Sequence, residues 1–421
     1  MLKKIPTHQV RLGMYLHGME GSWLSHPFWK TKFVLADPND VKALKGSGVP
    51  FCWIDAAQGL DVEGEPDNGV SPKPSDPAPA SPAVAAAPAA PQAPAVIASE
   101  PRPELSTAPA SMGEELERAA QVVNKSKQAV ISLFGEARLG KAVDAEQCLP
   151  LVEEVANSVA RNPSALISLA RLKTKDDYTY MHSVAVCALM VSLSRQMGLD
   201  EASTREAGLA GLLHDVGKMA MPMDVLNKPG ALTDEEFAIM RGHPTRGYEM
   251  LLEGTSVPES ALDVALHHHE KMDGTGYPAK LAGEGITLLS RMGAVCDVYD
   301  AITSNRPYKN AWDPASSLAR MAQWKGHFDP LVFQAFVKSV GIYPVGTLVK
   351  LQSGRLAVVL DQNTSVLTSP RVRVFYSTKS QMPIPTQVLD LSSPSAGDRI
   401  IGREDPATWG FQRLDDLWQQ A

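Results

Sequence analysis

Residues 267–278 read His-His-His-Glu-Lys-Met-Asp-Gly-Thr-Gly-Tyr-Pro, three consecutive imidazoles beside a glutamate and an aspartate ahead of a Gly-x-Gly-Tyr-Pro turn. Side chains of these types gathered so closely point to metal chemistry. Two further stretches share that character: His214-Asp215 within Leu-Leu-His-Asp-Val-Gly-Lys, and Asp297-Val-Tyr-Asp300, which runs on to Arg306-Pro-Tyr-Lys309. Adjacent residues on a helix project about 100° apart. The pairs His214-Asp215 and His268-His269 should therefore fan out around a centre, which suits two ions better than one. Lys218 lies four residues after His214 and three after Asp215, on their helical face. Arg306 and Lys309 follow the Asp297 helix. Three cations around such a centre suit an anionic phosphodiester, arginine being able to bind phosphate through two parallel hydrogen bonds. In the turn Asp273-Gly274-Thr275-Gly276-Tyr277-Pro278 the glycines allow close backbone approach, and Tyr277 offers a stacking face.

The elements that must position these residues are mainly helical. From Asp176 to Gly341 the apolar pattern is that of helices throughout, and Tyr178 to Met197, apolar nearly all round, reads as a buried central helix. Thr233-Asp-Glu-Glu236 has the form of a capping box and should start the helix that carries His243. The helix beginning at Pro258 should end in the histidine triplet, and helices are predicted over Ile286–Thr303, Asp313–Trp324 and Pro330–Val340. Ahead of this bundle, residues 113–172 form a helical preamble. Residues 61–112 shift to Pro and Ala with almost no aromatics, the composition of a flexible linker. Residues 1–60 read as a small α/β module with strands over Val10–Met19, Phe28–Leu35 and Phe51–Asp55 and a helix over Asn39–Lys45. After Tyr343 the period drops to two. Thr347–Leu351, Arg355–Leu360 and Arg371–Tyr376 are predicted strands of a small C-terminal β domain spanning 341–421. A chain of 421 residues has room for this organisation.

Composition excludes several classes. A formal charge of −7 gives no basic field for duplex nucleic acid. Cys52, Cys148, Cys187 and Cys296 are scattered, which fits a reducing compartment and neither a disulfide framework nor a cysteine zinc site. The N-terminus lacks the apolar core of a signal peptide, and the alanine-rich run from Val84 to Ile97, broken by prolines, would make a poor membrane span. These features lead to the expectation of a cytoplasmic protein.

Taken together and in this order, the HD pair, the His-His-Glu…Gly-x-Gly-Tyr-Pro stretch and the Asp297 motif resemble the HD-GYP family, phosphodiesterases within the wider HD class of metal-dependent phosphohydrolases. The resemblance covers residues 173–340. It implies an HD-type helical bundle in which His182, His214, Asp215, His243, His268, His269 and Asp297 bind metal, with Asp215 bridging the ions. His267 falls one place ahead of the family's His-His-Glu and is read as a helix-surface residue or one supporting a ligand, and Glu270 as a carboxylate that orients an imidazole. A ligand set of imidazole and carboxylate without thiolate favours iron or manganese, with zinc, cobalt and nickel also compatible. Some members carry a glutamate at the position of Tyr178 that supports a third metal; the tyrosine here implies a two-metal site. Leu12-Gly-Met-Tyr-Leu, Ser22-Trp-Leu-Ser-His-Pro-Phe and Trp53-Ile-Asp resemble a domain often found ahead of HD-GYP domains, and the C-terminal strands resemble a β domain that closes some of them.

The activity implied by the resemblance is hydrolysis of cyclic di-GMP to linear pGpG, with GMP as a further product. Asp215 and Lys218 would be catalytic. Lys218, Asp273, Gly274, Gly276, Tyr277, Arg306 and Lys309 would contact substrate, with Lys218 and Arg306 clamping the phosphates. The competing reading is a cyclic di-GMP receptor, or a module that engages diguanylate cyclase (GGDEF) domains with weak turnover; an intact ligand set argues against it. A homodimer is compatible with the helical preamble.

Overall fold

The computed structural model describes residues 2–19, 33–36, 38–46, 50–61, 107–172, 178–228, 230–304, 311–363, 365–411 and 414–419. Most of the expected linker, the start of the expected strand at Phe28, and both Arg306 and Lys309 lie outside these residues. The chain divides into two compact units, Met1–Glu104 and Leu105–Ala421.

In the first unit β1 (Leu2–Pro6), β2 (Tyr15–Met19), β3 (Phe33–Val34) and β4 (Phe51–Asp55) form an antiparallel sheet in the order β1-β4-β2-β3, with α1 (Pro38–Gly46) between β3 and β4. Side chains alternate across the pleat. Cys52 and Ile54 turn into a core with Ile5, Val10, Met14, Leu16, Leu35 and Leu44, while Phe51 and Trp53 are exposed on the other face. The strand expected from Val10 starts only at Tyr15, because Thr7–Gln9 coil into a 3-10 turn and Gly13 takes a positive φ of 86°. Leu2–Pro6, where no strand was expected, pairs along β4.

The second unit is a helical bundle with a sheet packed on it. Helix α2 (Met112–Arg138) opens on a capping box, Ser111 accepting from Glu114 N and the Glu114 carboxylate from Ser111 N. It is tied to α3 (Leu149–Arg161) by the buried Glu115, whose carboxylate accepts from Arg161 Nε at 2.7 Å and Nη2 at 2.8 Å and from Ser158 Oγ at 2.8 Å. After α4 (Pro163–Arg171) comes α5 (Tyr178–Gln196), in which every residue from Met181 to Ser194 is buried. A helix apolar all round must be surrounded, and α5 is the axis on which the others pack. They are α6 (Glu201–Leu213), α7 (Met223–Leu226), α8 (Asp234–Met240), α9 (His243–Leu252), α10 (Glu259–His267), α11 (Leu288–Thr303), α12 (Pro314–Met321) and α13 (Pro330–Val340). The Thr233–Glu236 capping box forms as expected. Its helix stops at Met240, however, and His243 opens a separate helix after Arg241-Gly242.

Strands β5 (Leu348–Leu351), β6 (Arg355–Asp361), β7 (Arg371–Ser377), β8 (Met382–Asp390) and β9 (Ile400–Arg403) make an antiparallel sheet in the order β8-β7-β6-β5-β9, followed by α14 (Asp415–Gln419). Strand β6 is buried on both faces. Ala357 and Val359 meet Val349, Val372 and Val374, while Val358 and Leu360 join Val345, Trp418 and the helical core. Helix and sheet thus share one apolar interior in this unit.

Candidate metal centre

The seven residues expected to bind metal are all positioned by helices, five of them at or just past a helix end. His214 caps the C-terminus of α6, and Asp215 leads into the 3-10 turn Val216–Ala220. His243 is the first residue of α9, His268 caps α10 and His269 follows it. The helix expected to continue through His214-Asp215 therefore does not occur, while α10 ends in the histidine triplet as expected. Each helix ends at its motif, and the two neighbours diverge because the backbone turns there. His182 stands on the second turn of α5, and Asp297 lies within α11. Gly217 allows the junction: a Cβ there would lie 2.0 Å from His243 O and 2.3 Å from Gly247 N, so only glycine lets the 216–220 turn abut α9.

The seven side chains converge. His182, His214 and Asp215 present ligand atoms within 4.8 Å of one another, and so do His243, His268 and His269. Two carboxylates span these groups. Asp215 Oδ2 lies 3.4 Å from His182 Nε2 and 3.3 Å from His214 Nε2, while its Oδ1 lies 3.2 Å from His243 Nε2 and 3.8 Å from His268 Nε2. Asp297 Oδ1 lies 3.0 Å from His182 Nε2, and its Oδ2 3.8 Å from His269 Nδ1. Each carboxylate turns one oxygen to each trio.

The donors are prepared for a cation. In the imidazoles of His214, His243 and His268 Nδ1 faces a backbone carbonyl, that of Gly211 at 2.8 Å, Met240 at 2.8 Å and Val264 at 2.9 Å. That partner places the proton on Nδ1 and leaves Nε2 a bare lone pair aimed inward. His243 Nε2 and His268 Nε2 then stand 3.3 Å apart. Two lone pairs repel at that distance, whereas two nitrogens each about 2.1 Å from a shared ion are separated by about 3 Å. His214 Nε2 and Asp215 Oδ1 are buried with no hydrogen-bond partner among the described residues, an arrangement that is costly unless an ion completes it. The residues fit a metal pair.

The electrostatics of the metal-free centre divide its imidazoles. Burial, reinforced by the neighbouring imidazoles, holds His268 well below the usual histidine range, and burial takes His269 down to about 3, so both are neutral ligands. Burial also disfavours the charged form of His182, but hydrogen bonds to Asp215, Asp297 and Asp300 outweigh it and raise this imidazole to about 10. Burial would raise Asp215 and Asp297. The Lys218 charge with His214 and His182 in the first case, and His182 with His269 in the second, hold both well below the carboxylate range.

Other expected residues take different positions. The Glu270 carboxylate bonds no imidazole among the described residues: it accepts from Ala279 N at 2.6 Å and Leu281 N at 3.1 Å, folding the Gly-Tyr-Pro loop back onto the end of α10. Gly276 makes that return possible, since a Cβ there would lie 2.5 Å from both Glu270 Cα and Lys271 N. His267 bonds to Asp263 at 2.8 Å, and Asp263 also accepts from Ser290 Oγ at 2.6 Å, which joins α10 to α11. Lys218 Nζ contacts Asp215 Oδ2. The Asp273 carboxylate accepts from Thr275 N at 2.9 Å and Thr275 Oγ1 at 2.7 Å, and Gly274 has a φ of 76°, so both shape the turn. The Tyr277 ring lies 4.8 Å from that of His269, and the Tyr178 ring stacks on His182 at 5.8 Å and 8°.

Two residues were given no role by the sequence reading. Asp300 Oδ2 bonds to His182 Nδ1 at 2.6 Å, and its place three residues after Asp297, on the same face of α11, was the available signal. Arg241 stands over the Tyr277 ring, a contact that no local pattern announces.

Comparison with known proteins places this centre inside a match to an HD domain model over residues 153–332. A model described as a domain of unknown function, DUF3391, matches residues 2–148. The chain is 52% identical over 99% of its length, and 96% of the relative's, to the cyclic di-GMP phosphodiesterase PA4108 of Pseudomonas aeruginosa. It is 44% identical to the cyclic di-GMP phosphodiesterase response regulator RpfG of Xanthomonas campestris, over 35% of this chain and 39% of that one. Among solved structures, the HD-GYP-type protein Bd1817 of Bdellovibrio bacteriovorus aligns at 14% identity with a TM-score of 0.45, over 80% of this chain and 98% of that one, too remote to argue from.

Proposed function

The chain belongs to the HD-GYP family of HD-domain phosphodiesterases, and from that premise we propose that it hydrolyses cyclic di-GMP to pGpG at the centre formed by α5, α6, α9, α10 and α11. The observation that carries this reading is the division of Asp215 and Asp297 between two histidine groups, which suits a pair of ions about one phosphodiester. His182, His214 and Asp215 would hold one ion and His243, His268 and His269 the other, with Asp297 reaching both. Two divalent ions there, iron or manganese by the softness of these donors, would supply Lewis acidity to the phosphate and an activated water.

The chain's own residues supply the rest. The backbone partners of His214, His243 and His268 keep Nε2 free for its ligand role, and Asp300 fixes the ring of His182. Lys218, beside Asp215, is set to neutralise the phosphate or to give a proton to the departing ribose oxygen. By the family resemblance, the position of Tyr178 is where a glutamate would support a third metal. We therefore expect pGpG to accumulate ahead of GMP. The four cysteines are free and buried, which supports a reducing, cytoplasmic setting, and no described helix is long and apolar enough to cross a membrane.

The test is chromatography of cyclic di-GMP incubated with protein loaded with iron or manganese. Release of pGpG, lost in Asp215→Ala while helical circular dichroism persists, is the expected result. Intact cyclic di-GMP in the presence of the loaded wild type, or undiminished turnover by Asp215→Ala, would overturn the reading.

A further inference from the structure

Tyr277 has a second neighbour besides His269. The Arg241 guanidinium lies over its ring, 4.6 Å from the centroid. Arg241 caps α8 and precedes the ligand His243 by two residues, so the break between α8 and α9 that sets His243 also sets this cation. Neighbouring basic side chains are engaged: Lys218 with Asp215, Lys228 with Glu236, Arg246 with Glu249, and Arg291 with Asp329 at 2.6 Å. Among the described residues no carboxylate pairs with Arg241, and the residue is exposed. A guanidinium stacked on an aromatic face is held in orientation while its in-plane N–H edge stays free for a bidentate acceptor.

Resting on the substrate reading above, we propose that Arg241 binds the phosphodiester that is not being cleaved. A cyclic dinucleotide carries two phosphates. The metal ligands can serve only the one under attack, and the other brings a full negative charge to the rim of the centre. Arg241, one ring contact from His269, supplies a fixed cation there. It is a binding residue, and its effect falls on substrates with a second phosphate.

The experiment compares wild type, Arg241→Ala and Arg241→Lys, all metal-loaded, on cyclic di-GMP and on bis(p-nitrophenyl) phosphate, which has a single phosphate. In Arg241→Ala the KM for cyclic di-GMP should rise roughly 10–100-fold, the range for one charge-assisted contact, with kcat little altered. The preference for cyclic di-GMP over the single-phosphate ester should fall by a similar factor. Arg241→Lys should recover part of both. Equal loss on the two substrates, an unchanged KM, or loss of bound metal in Arg241→Ala would overturn the assignment. A wild type that cleaves the single-phosphate ester and leaves cyclic di-GMP intact would overturn the substrate reading, and this assignment with it.

Discussion

At the centre the metal-binding state of most imidazoles is set by what holds the other nitrogen. Backbone carbonyls do this for His214, His243 and His268, and Asp300 does it for His182. Removing Asp300 should therefore weaken metal binding without touching a ligand. Asp300→Ala should lower affinity about 10–100-fold, the usual effect of losing such a support, measured by competition with a chelating dye; an unchanged affinity would mean the bond is incidental. The imidazole shifts also make a pH prediction for metal-free protein. His269, held to about 3, stays neutral while the unfolded chain takes up a proton near 6.5, so stability falls as pH drops from about 6.5 towards 3. His182, raised to about 10, contributes stability that is complete below about 6.5 and is lost as pH rises towards 10. Metal must displace the His182 proton, so apparent affinity should climb about tenfold per pH unit up to that value. Calorimetric titration in buffers of different ionisation enthalpy would detect the released proton, and a pH-independent affinity would contradict it. Much of this chemistry was legible in the sequence, because His214-Asp215 and His268-His269 are adjacent pairs and His182, His243 and Asp297 lie in recognisable motifs. Glu270 was misread because its partners, Ala279 N and Leu281 N, lie nine and eleven residues ahead, where local pattern carries no information.

Among the elements, helix ends do the positioning. His214, His243 and His268 all occupy termini, and the turn at Gly217 brings the end of α6 against the start of α9. Sequence periodicity located these helices and ended α10 in the histidine triplet, but ran α8 through to His243 and α6 past His214-Asp215, although Gly242 and Pro244 were available as signals of the break before α9. The Gly-Tyr-Pro loop depends on a similar close approach at Gly276. In Gly276→Ala the added methyl would meet Glu270 Cα and Lys271 N, both backbone and unable to yield cheaply. A loss of about 1–3 kcal/mol is expected for such overpacking, read by urea denaturation, together with reduced turnover as Tyr277 leaves His269. Wild-type stability and activity in this variant would show that the loop adapts.

Across the whole molecule, the C-terminal sheet forms the small β domain expected after residue 341, and within the second unit its residues share the helical interior. Val345, Val358, Leu360 and Trp418 pack in the same core as α2, α3 and α5. The run Leu356-Ala-Val-Val-Leu360 is apolar without the alternation expected after Tyr343, as befits a strand covered on both sides; what covers the second face is not written locally. Deleting residues 342–421 should strip that core and lower the melting temperature of the helices by at least several degrees. An unchanged melting curve would make the sheet an independent appendage. The proposed hydrolysis needs two ions held between Asp215 and Asp297. Its most direct test is to titrate manganese or ferrous iron anaerobically into metal-free protein, following bound metal and pGpG release together. Saturation is expected near two ions per chain, with turnover appearing as the second site fills. Saturation at one or three, or full turnover with no metal bound, would contradict it.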